Sequence, residues 1–372
     1  MVFSLAGCGG NDAPAPAEEG KEPESSETTE VAATSDHKVS VFWYEESDVY
    51  LSIVREALNK QFDAAGVVYD NQFAAGNQSK QIDQIKTAVA GGSDILVVCQ
   101  VTAGSPDTAM DIMEIAGDLP VVFFNRAIGE PENPDTQVFE EYPNAVFIGT
   151  DAPEAGHMQG KMIGEYVLDH YDDIDVNGDG KISYAMFKGD EANIEAIYRT
   201  QFGVEDADKI LEEAGKPALV YFDEGNPDKY QVDLNGQWSA KAATDYMETN
   251  FVTYNEGNNN LIELIICNND GMAEGVVATL QNKGYNKEGA HVVPVFGVDA
   301  TDNAKALIAD GAMTGTVKQD AEGMATAICE TVESIEEGTN PVDALAGLDD
   351  DRFSIAPDSD AKLFVAYVPY AE

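Results

Sequence analysis

The stretch DVNGDGKISY, residues 175 to 184, has the spacing of a calcium loop. Asp175, Asn177 and Asp179 alternate, so their oxygens can face one hard cation, and Gly180 stands where such a loop turns sharply. An EF-hand loop would finish with a bidentate glutamate at its twelfth position, which here is Met186. Either the stretch is an Asx-rich turn or a carboxylate arrives from elsewhere in the chain. A second set of short polar residues follows apolar runs: Asp48, Asn125, Asn269, Asp270 and Asp299. Each one alone serves as well for a helix cap or a turn. Together, with Arg199 and nearby aromatics, they could meet many hydroxyls of one ligand.

The elements that must hold these residues alternate regularly. KVSVFWY, VVYDNQF, DILVVCQ and PVVFFNR read as strands, with amphipathic helical patterns between them. After NAVFIGTD the pattern restarts: a helix near 154–170, the calcium-like loop, ISYAMFKGD, a helix ending near Gly215, and ALVYFDEG as a strand. Then come a helix near 238–250, LIELIICNND, a helix near 271–284, VVPVFGVD, and a last strand-like run, LFVAYVPY. Strands alternating with helices of this length predict parallel sheets covered on both faces, in two α/β units in tandem. In such sheets ligands bind outside the carboxyl ends of the strands, where the second set of polar residues stands.

The 372 residues suffice for two hydrophobic cores. The formal charge, 21 minus 68, is −47. So acidic a surface repels nucleic-acid backbones and anionic lipid, and gathers cations. No run of about 20 apolar residues predicts a membrane span. Near the start, Leu5-Ala6-Gly7-Cys8 looks like a bacterial lipobox, in which the cysteine is lipidated and anchors an exported protein. Seven residues without a basic segment precede Cys8, so the start of such a signal is expected upstream. From Gly9 to about Asp36 the composition predicts a disordered tether. Cys99, Cys267 and Cys329 fall within apolar patterns and read as small buried hydrophobes, with no CxxC spacing for zinc or redox chemistry.

Several segments in combination, NQSKQIDQI, PVVFFNR, IGTD, DVNGDGKI, ICNNDGMAEG, PVFGVDA and GTVKQDA, make residues 38–370 resemble the bacterial galactose/glucose-binding proteins, the substrate-binding subunits of sugar ABC importers. The resemblance implies two Rossmann-like, doubly wound α/β domains joined by a three-strand hinge, the type I periplasmic binding protein fold. It places boundaries at 1–37 for the lipobox and tether, 38–149 plus 320–354 for the first domain, and 150–319 plus 355–372 for the second. The chain should then cross between domains near Gly149 to Asp151, near Gln319 and around residue 354.

The resemblance also implies a ligand set. Asp48, Asn125, Arg199, Asn269 and Asp299 would ring the sugar, with Tyr50 (a phenylalanine in the family) packed on one face and Trp238 on the other. Where the family often has His-x-Asp before the arginine, this chain has Asn193 and Glu195, and the family's later asparagine falls on Gln319. These changes bear on which sugar is bound. The implied calcium site, a structural one, draws on Asp175, Asn177, Asp179, the Lys181 carbonyl and Ser183, with Glu263, six residues before Asn269, in place of the loop glutamate. The expected partners are a monosaccharide, D-galactose or D-glucose foremost, and an ABC permease, with a monomeric receptor. A second reading makes the protein a sugar-sensing partner of a chemoreceptor or histidine kinase. A LacI-type regulator would need a basic helix-turn-helix where this chain has an acidic tether. An enzyme would need an acid/base or nucleophile constellation apart from the ligand set, and the sequence offers none.

Overall fold

A computed structural model describes residues 36–130, 133–348 and 351–370. Cys8 and the polar segment that follows it, up to residue 35, lie outside the described residues. From Lys38 the chain forms β1 (Lys38–Trp43), α1 (Val49–Ala65), β2 (Val68–Phe73), α2 (Gln78–Ala90), β3 (Ile95–Val98), α3 (Pro106–Ala116), β4 (Val121–Phe124), α4 (Thr136–Glu141) and β5 (Ala145–Gly149). A second run has α5 (Ala152–Asp169), α6 (Tyr171–Ile174), β6 (Ser183–Lys188), α7 (Ile194–Glu213), β7 (Val220–Tyr221), β8 (Gln231–Val232) and α8 (Ala240–Thr253). It continues with β9 (Leu264–Cys267), α9 (Asp270–Lys283), β10 (Val295–Asp299), α10 (Asp302–Ala309) and β11 (Gly315–Gln319). Helices α11 (Ala321–Glu336) and α12 (Pro341–Ala346) follow, then β12 (Phe353–Ile355), β13 (Lys362–Val365) and β14 (Tyr367–Tyr370).

These strands build two sheets, ordered β12-β13-β5-β4-β3-β1-β2 and β14-β11-β10-β9-β6-β7, with β8 also on β6. The inner pairings are parallel; β12 on β13 and β14 on β11 are antiparallel. Helices on both faces bury the central strands completely, which is why β3, β4 and β9 read as unbroken apolar runs ILVV, VVFF and LIIC. The stretch ALVYFDEG contributes only Val220 and Tyr221, because a turn held by Asp223 interrupts it; β8 pairs with the other half of β6. No helix among the described residues is long and apolar enough to cross a membrane.

The chain passes between the two sheets at Thr150–Asp151, at Asp320 and at Ala366. The last of these corrects the expected crossing near 354 and the assignment of 355–372 to the second unit. Residues 353–365 pair within the first sheet, where β13 lies against β5. LFVAYVPY looks like one strand, but its halves are buried in different cores. Leu363 and Val365 belong to the first, whereas Tyr367 packs with Ala155, Val298 and Val317 of the second.

In the second lobe α5 lies close along α7. Gly156, Gly160 and Gly164 recur at one-turn spacing on α5, and a Cβ on Gly160 would stand 2.2 Å from the Phe202 carbonyl oxygen. That oxygen is backbone and cannot rotate aside. Gly160→Ala should gain up to about 1 kcal/mol of helix propensity yet lose about 1–3 kcal/mol to overpacking. We expect a net fall in stability, read as a lower urea midpoint; an unchanged or higher midpoint would mean that α5 and α7 separate without cost.

Candidate functional site

Three of the sequence-marked residues are helix caps. Asp48 Oδ1 accepts from the Leu51 N–H at the start of α1 (2.8 Å), Asn193 Oδ1 from Glu195 N–H at α7 (2.8 Å), and Asn269 Oδ1 from Met272 N–H at α9 (2.9 Å). Capping uses one oxygen and leaves the rest of each side chain for other partners. Asp48 Oδ2 accepts from the Tyr44 hydroxyl at 2.6 Å, and Asn269 Nδ2 donates to the Trp238 carbonyl at 3.3 Å.

These caps open onto one cavity of about 390 Å³, mouth included. Asp48, Tyr50, Asn125, Asn193, Glu195, Arg199, Trp238, Asn269, Asp299 and Gln319 all line it, joined by Tyr44 and Arg126. No spacing in the sequence marks the last two; the only signals are that Arg126 follows Asn125 and that Tyr44 ends an apolar strand. Backbone strain gathers here. Asn125, Trp238 and Asp299 have φ of 59°, 55° and 128°, a region costly for side chains as large as tryptophan. The Trp238 ring fits because Gly189 lacks a side chain: a Cβ there would lie 2.1 Å from the indole.

Two guanidiniums are buried in the walls. Arg199, 2% exposed, donates through Nη1 to the Asn268 carbonyl (2.9 Å). Its Nη2, which has two protons, lies within hydrogen-bond reach of three acceptors, Glu195 Oε2 (3.0 Å), Gln319 Oε1 (3.1 Å) and the Tyr367 hydroxyl (2.8 Å), so one proton is shared between two of them. Arg126, 4% exposed, lies over the Tyr44 ring and pairs with Asp190 Oδ2 of the opposite lobe at 2.7 Å. Gln237 to Glu45 at 3.3 Å is a further contact from lobe to lobe. Glu195, expected among the ligand contacts, lines the cavity but is heavily engaged. Thr150 Oγ1 donates to Oε1, and Arg199 and Tyr367 donate to Oε2.

Burial raises the acids. It lifts Asp48 above the ordinary carboxylate range against hydrogen bonds from Leu51 and Tyr44. Burial also pushes Asp270 up to about 7, although Thr316 Oγ1 (2.7 Å) and Thr301 N–H (2.9 Å) donate to it. Asp299 is raised well above its usual value by burial and then by the charge of Asp270.

Away from the cavity, the structure brings Glu263 against the calcium-like loop. Its oxygens accept from Asn177 N–H and Ser183 N–H, each at 2.9 Å, and from Ser183 Oγ at 3.0 Å. Asp175 accepts from Asp179 and Gly180 N–H groups, and Asp179 from Lys181 N–H. The Asn177 side chain pairs twice with the Leu261 backbone, and the single Ser183 hydroxyl proton is shared between Glu263 and the Leu261 carbonyl. Asn177 and Ser183 thus face Leu261 and Glu263. No three acidic, histidine or cysteine side chains stand at metal-ligand spacing among the described residues. The chemistry of the set still suits a hard cation, being all oxygen. Burial pushes the Glu263 carboxyl up against its hydrogen bonds, and the charge of Asp175 adds to the rise.

Residues 39–340 match the family model described as a periplasmic binding protein domain. The chain is 28% identical over 308 residues to the D-galactose/methyl-galactoside binding periplasmic protein MglB of Haemophilus influenzae, covering 82% of this chain and 83% of that one. Among solved structures it resembles an ABC transporter solute binding protein from Clostridium phytofermentans with bound β-D-glucose, at a TM-score of 0.64 and 19% identity over 90% of this chain and 94% of that one. It also resembles one from Bacillus halodurans with bound myo-inositol, at a TM-score of 0.60 and 18% identity over 92% and 96%. At such identities the structural likeness speaks to the fold.

The buried acids give the site a pH signature. The native Asp270–Asp299 pair holds protons that the unfolded chain releases near pH 4, so its contribution to stability is full below that pH. It is lost as pH rises toward about 7. Asp270→Asn should flatten this decline in the ligand-free protein, seen as a difference in melting temperature between variant and wild type that changes from pH 4 to pH 7. A constant difference would show that the pair does not titrate there.

Proposed function

The chain belongs to the family of periplasmic binding protein domains, and from that premise we propose that it is an extracytoplasmic sugar-binding protein of the ABC importer type, taking D-galactose or D-glucose in the cavity between its lobes. Buried polar atoms carry the reading. Tyr50 OH, Arg126 Nε and Arg199 Nε have no hydrogen-bond partner within the protein, and all three residues line the cavity. Buried donors of this kind are costly unless something meets them. Around them stand acceptors on Asp48 and Asp299 and amides on Asn125, Asn193 and Asn269. Donors and acceptors so interleaved suit hydroxyls, each of which gives one hydrogen bond and can accept others.

Charge narrows the class. Three carboxylic acids, Asp48, Glu195 and Asp299, face two guanidiniums. Both guanidiniums already pair with carboxylates, Arg126 with Asp190 and Arg199 with Glu195, and burial raises Asp48 and Asp299 toward their neutral forms, which favours a neutral ligand over an anion. Trp238 and Tyr50 add flat apolar area for the C–H faces of a pyranose ring. Asp48, Tyr50, Asn125 and Arg126 come from one lobe and Arg199, Trp238, Asn269 and Asp299 from the other. A ligand touching both binds the closed form better than the open one and shifts the protein toward it. A permease can then tell a loaded receptor from an empty one. Relatives named as binding proteins agree with a site that holds its ligand unchanged.

Calorimetric titration with D-galactose, D-glucose and myo-inositol tests the reading; saturable binding of a monosaccharide is expected, and binding of none of them would end it. Trp238→Ala should weaken the affinity by roughly tenfold or more, the scale of about 1.4 kcal/mol of stacking and burial. Wild-type affinity in that variant would remove Trp238 from the sugar contacts.

Calcium belongs to the proposal as a structural ion that Asp175, Asp179, the Lys181 carbonyl and Glu263 would hold. Support comes from the oxygen-only donors and from the buried Glu263 carboxyl beside Asp175. The ion would neutralise that acidic cluster and tie the loop before β6 to the start of β9. Calcium at about 100 times its Kd should stabilise the protein by about 2.7 kcal/mol relative to chelator, and Glu263→Gln should abolish the difference in melting temperature. If wild type melts alike in calcium and in chelator, hydrogen bonds alone staple the loop.

A further inference from the structure

The three segments that pass between the lobes are far apart in sequence, yet each sends one side chain to the same ion pair. Thr150 lies in the first crossing, Gln319 ends the strand before the second, and Tyr367 follows the third. Thr150 Oγ1 donates to Glu195 Oε1. The Tyr367 hydroxyl accepts from Arg199 Nη2 at 2.8 Å and lies 2.7 Å from Glu195 Oε2, to which it can give its proton. Gln319 Oε1 accepts from Arg199 Nη2 at 3.1 Å. All five residues are at most 6% exposed. A carboxylate has about four acceptor sites, and Thr150, Arg199 and Tyr367 take three on Glu195, which leaves it little capacity for a ligand.

We propose that Glu195 is a positioning residue, the centre of a clasp that joins Arg199 in the ligand cavity to all three inter-lobe crossings. The inference rests on the sugar-receptor reading for its functional meaning, while the clasp itself rests on the hydrogen bonds. Opening the lobes must change backbone dihedrals in the crossing segments. Thr150, Gln319 and Tyr367 then move relative to one another, so only a narrow range of hinge angles satisfies every bond at once. The lobes touch in this structure through Arg126–Asp190 and Glu45–Gln237, so the clasp is formed in a closed arrangement and favours it. A ligand held by Arg199 fixes the guanidinium and thereby the clasp. Glutamate has the length to reach the crossings while remaining one turn from Arg199 on α7.

Tyr367→Phe tests this cleanly, because Tyr367 does not line the cavity and the ring can stay packed. Hydrogen exchange by mass spectrometry on the ligand-free full chain is compared for wild type, Tyr367→Phe and Glu195→Gln. In both variants exchange should speed up together in segments 149–151, 318–321 and 365–368, by roughly tenfold, the scale of one charge-assisted hydrogen bond. Peptides from α2 and α10 should keep wild-type rates. A rise confined to the mutated segment, or spread evenly over the protein, overturns the clasp. In a second arm, D-glucose or D-galactose affinity of Tyr367→Phe should fall by roughly tenfold; wild-type affinity would overturn the coupling to the ligand. Failure of wild type to bind any monosaccharide would sink the receptor reading, and the exchange arm would still decide the clasp.

Discussion

A guanidinium buried to 2% exposure must have its charge and its N–H groups met, and much of this molecule is arranged around meeting those of Arg199. An unpaired buried charge is among the costliest features a fold can carry. Glu195 supplies the opposite charge from one turn earlier on α7, and Asn268, Gln319 and Tyr367 supply oxygens from three other parts of the chain. Nε alone has no protein partner. One cation is therefore shared between the framework, which satisfies most of it, and the cavity, which receives the rest. Helix α7, which carries Arg199, is seated closely on α5 through glycines that admit the Phe202 and Tyr198 carbonyls.

The cavity walls follow from the geometry of a parallel sheet. Strands β1, β6 and β9 end toward the cavity, and each hands the chain to a helix whose first N–H groups need an acceptor. Asp48, Asn193 and Asn269 meet that need with one atom and turn another toward neighbours or the cavity. A cap and a ligand contact are thus compatible roles for one residue. The positive φ values of Asn125, Trp238 and Asp299 are the local cost of pointing large or polar groups inward, sustained by the buried sheets behind them.

The second lobe solves a different problem at the loop of residues 175–183. Acidic side chains crowd a turn on a protein of formal charge −47. Glu263 joins them from 80 residues away, accepting backbone N–H groups of Asn177 and Ser183 while its own N–H donates to the Ser183 carbonyl. The loop is anchored to the start of β9 on both backbone and side chain, so the register of β6 against β9 is set at its edge.

The sequence by itself determined the alternation of strands and helices, the two tandem units and the strand-end polar residues, because hydrophobic periodicity and capping are local properties. Asp48, Asn125, Asn269 and Asp299 were legible for that reason; Asn193, Glu195, Trp238, Gln319 and Glu263 needed a family resemblance, since no local spacing distinguishes them. Only the tertiary structure decided where LFVAYVPY divides, because both halves are apolar and the choice depends on which core buries each. It alone placed Arg126 against Asp190, and Thr150 and Tyr367 against Glu195, contacts between residues 64, 45 and 172 positions apart. A buried polar group takes whatever partner the packed chain brings within reach, and that partner leaves no mark on its neighbours in sequence.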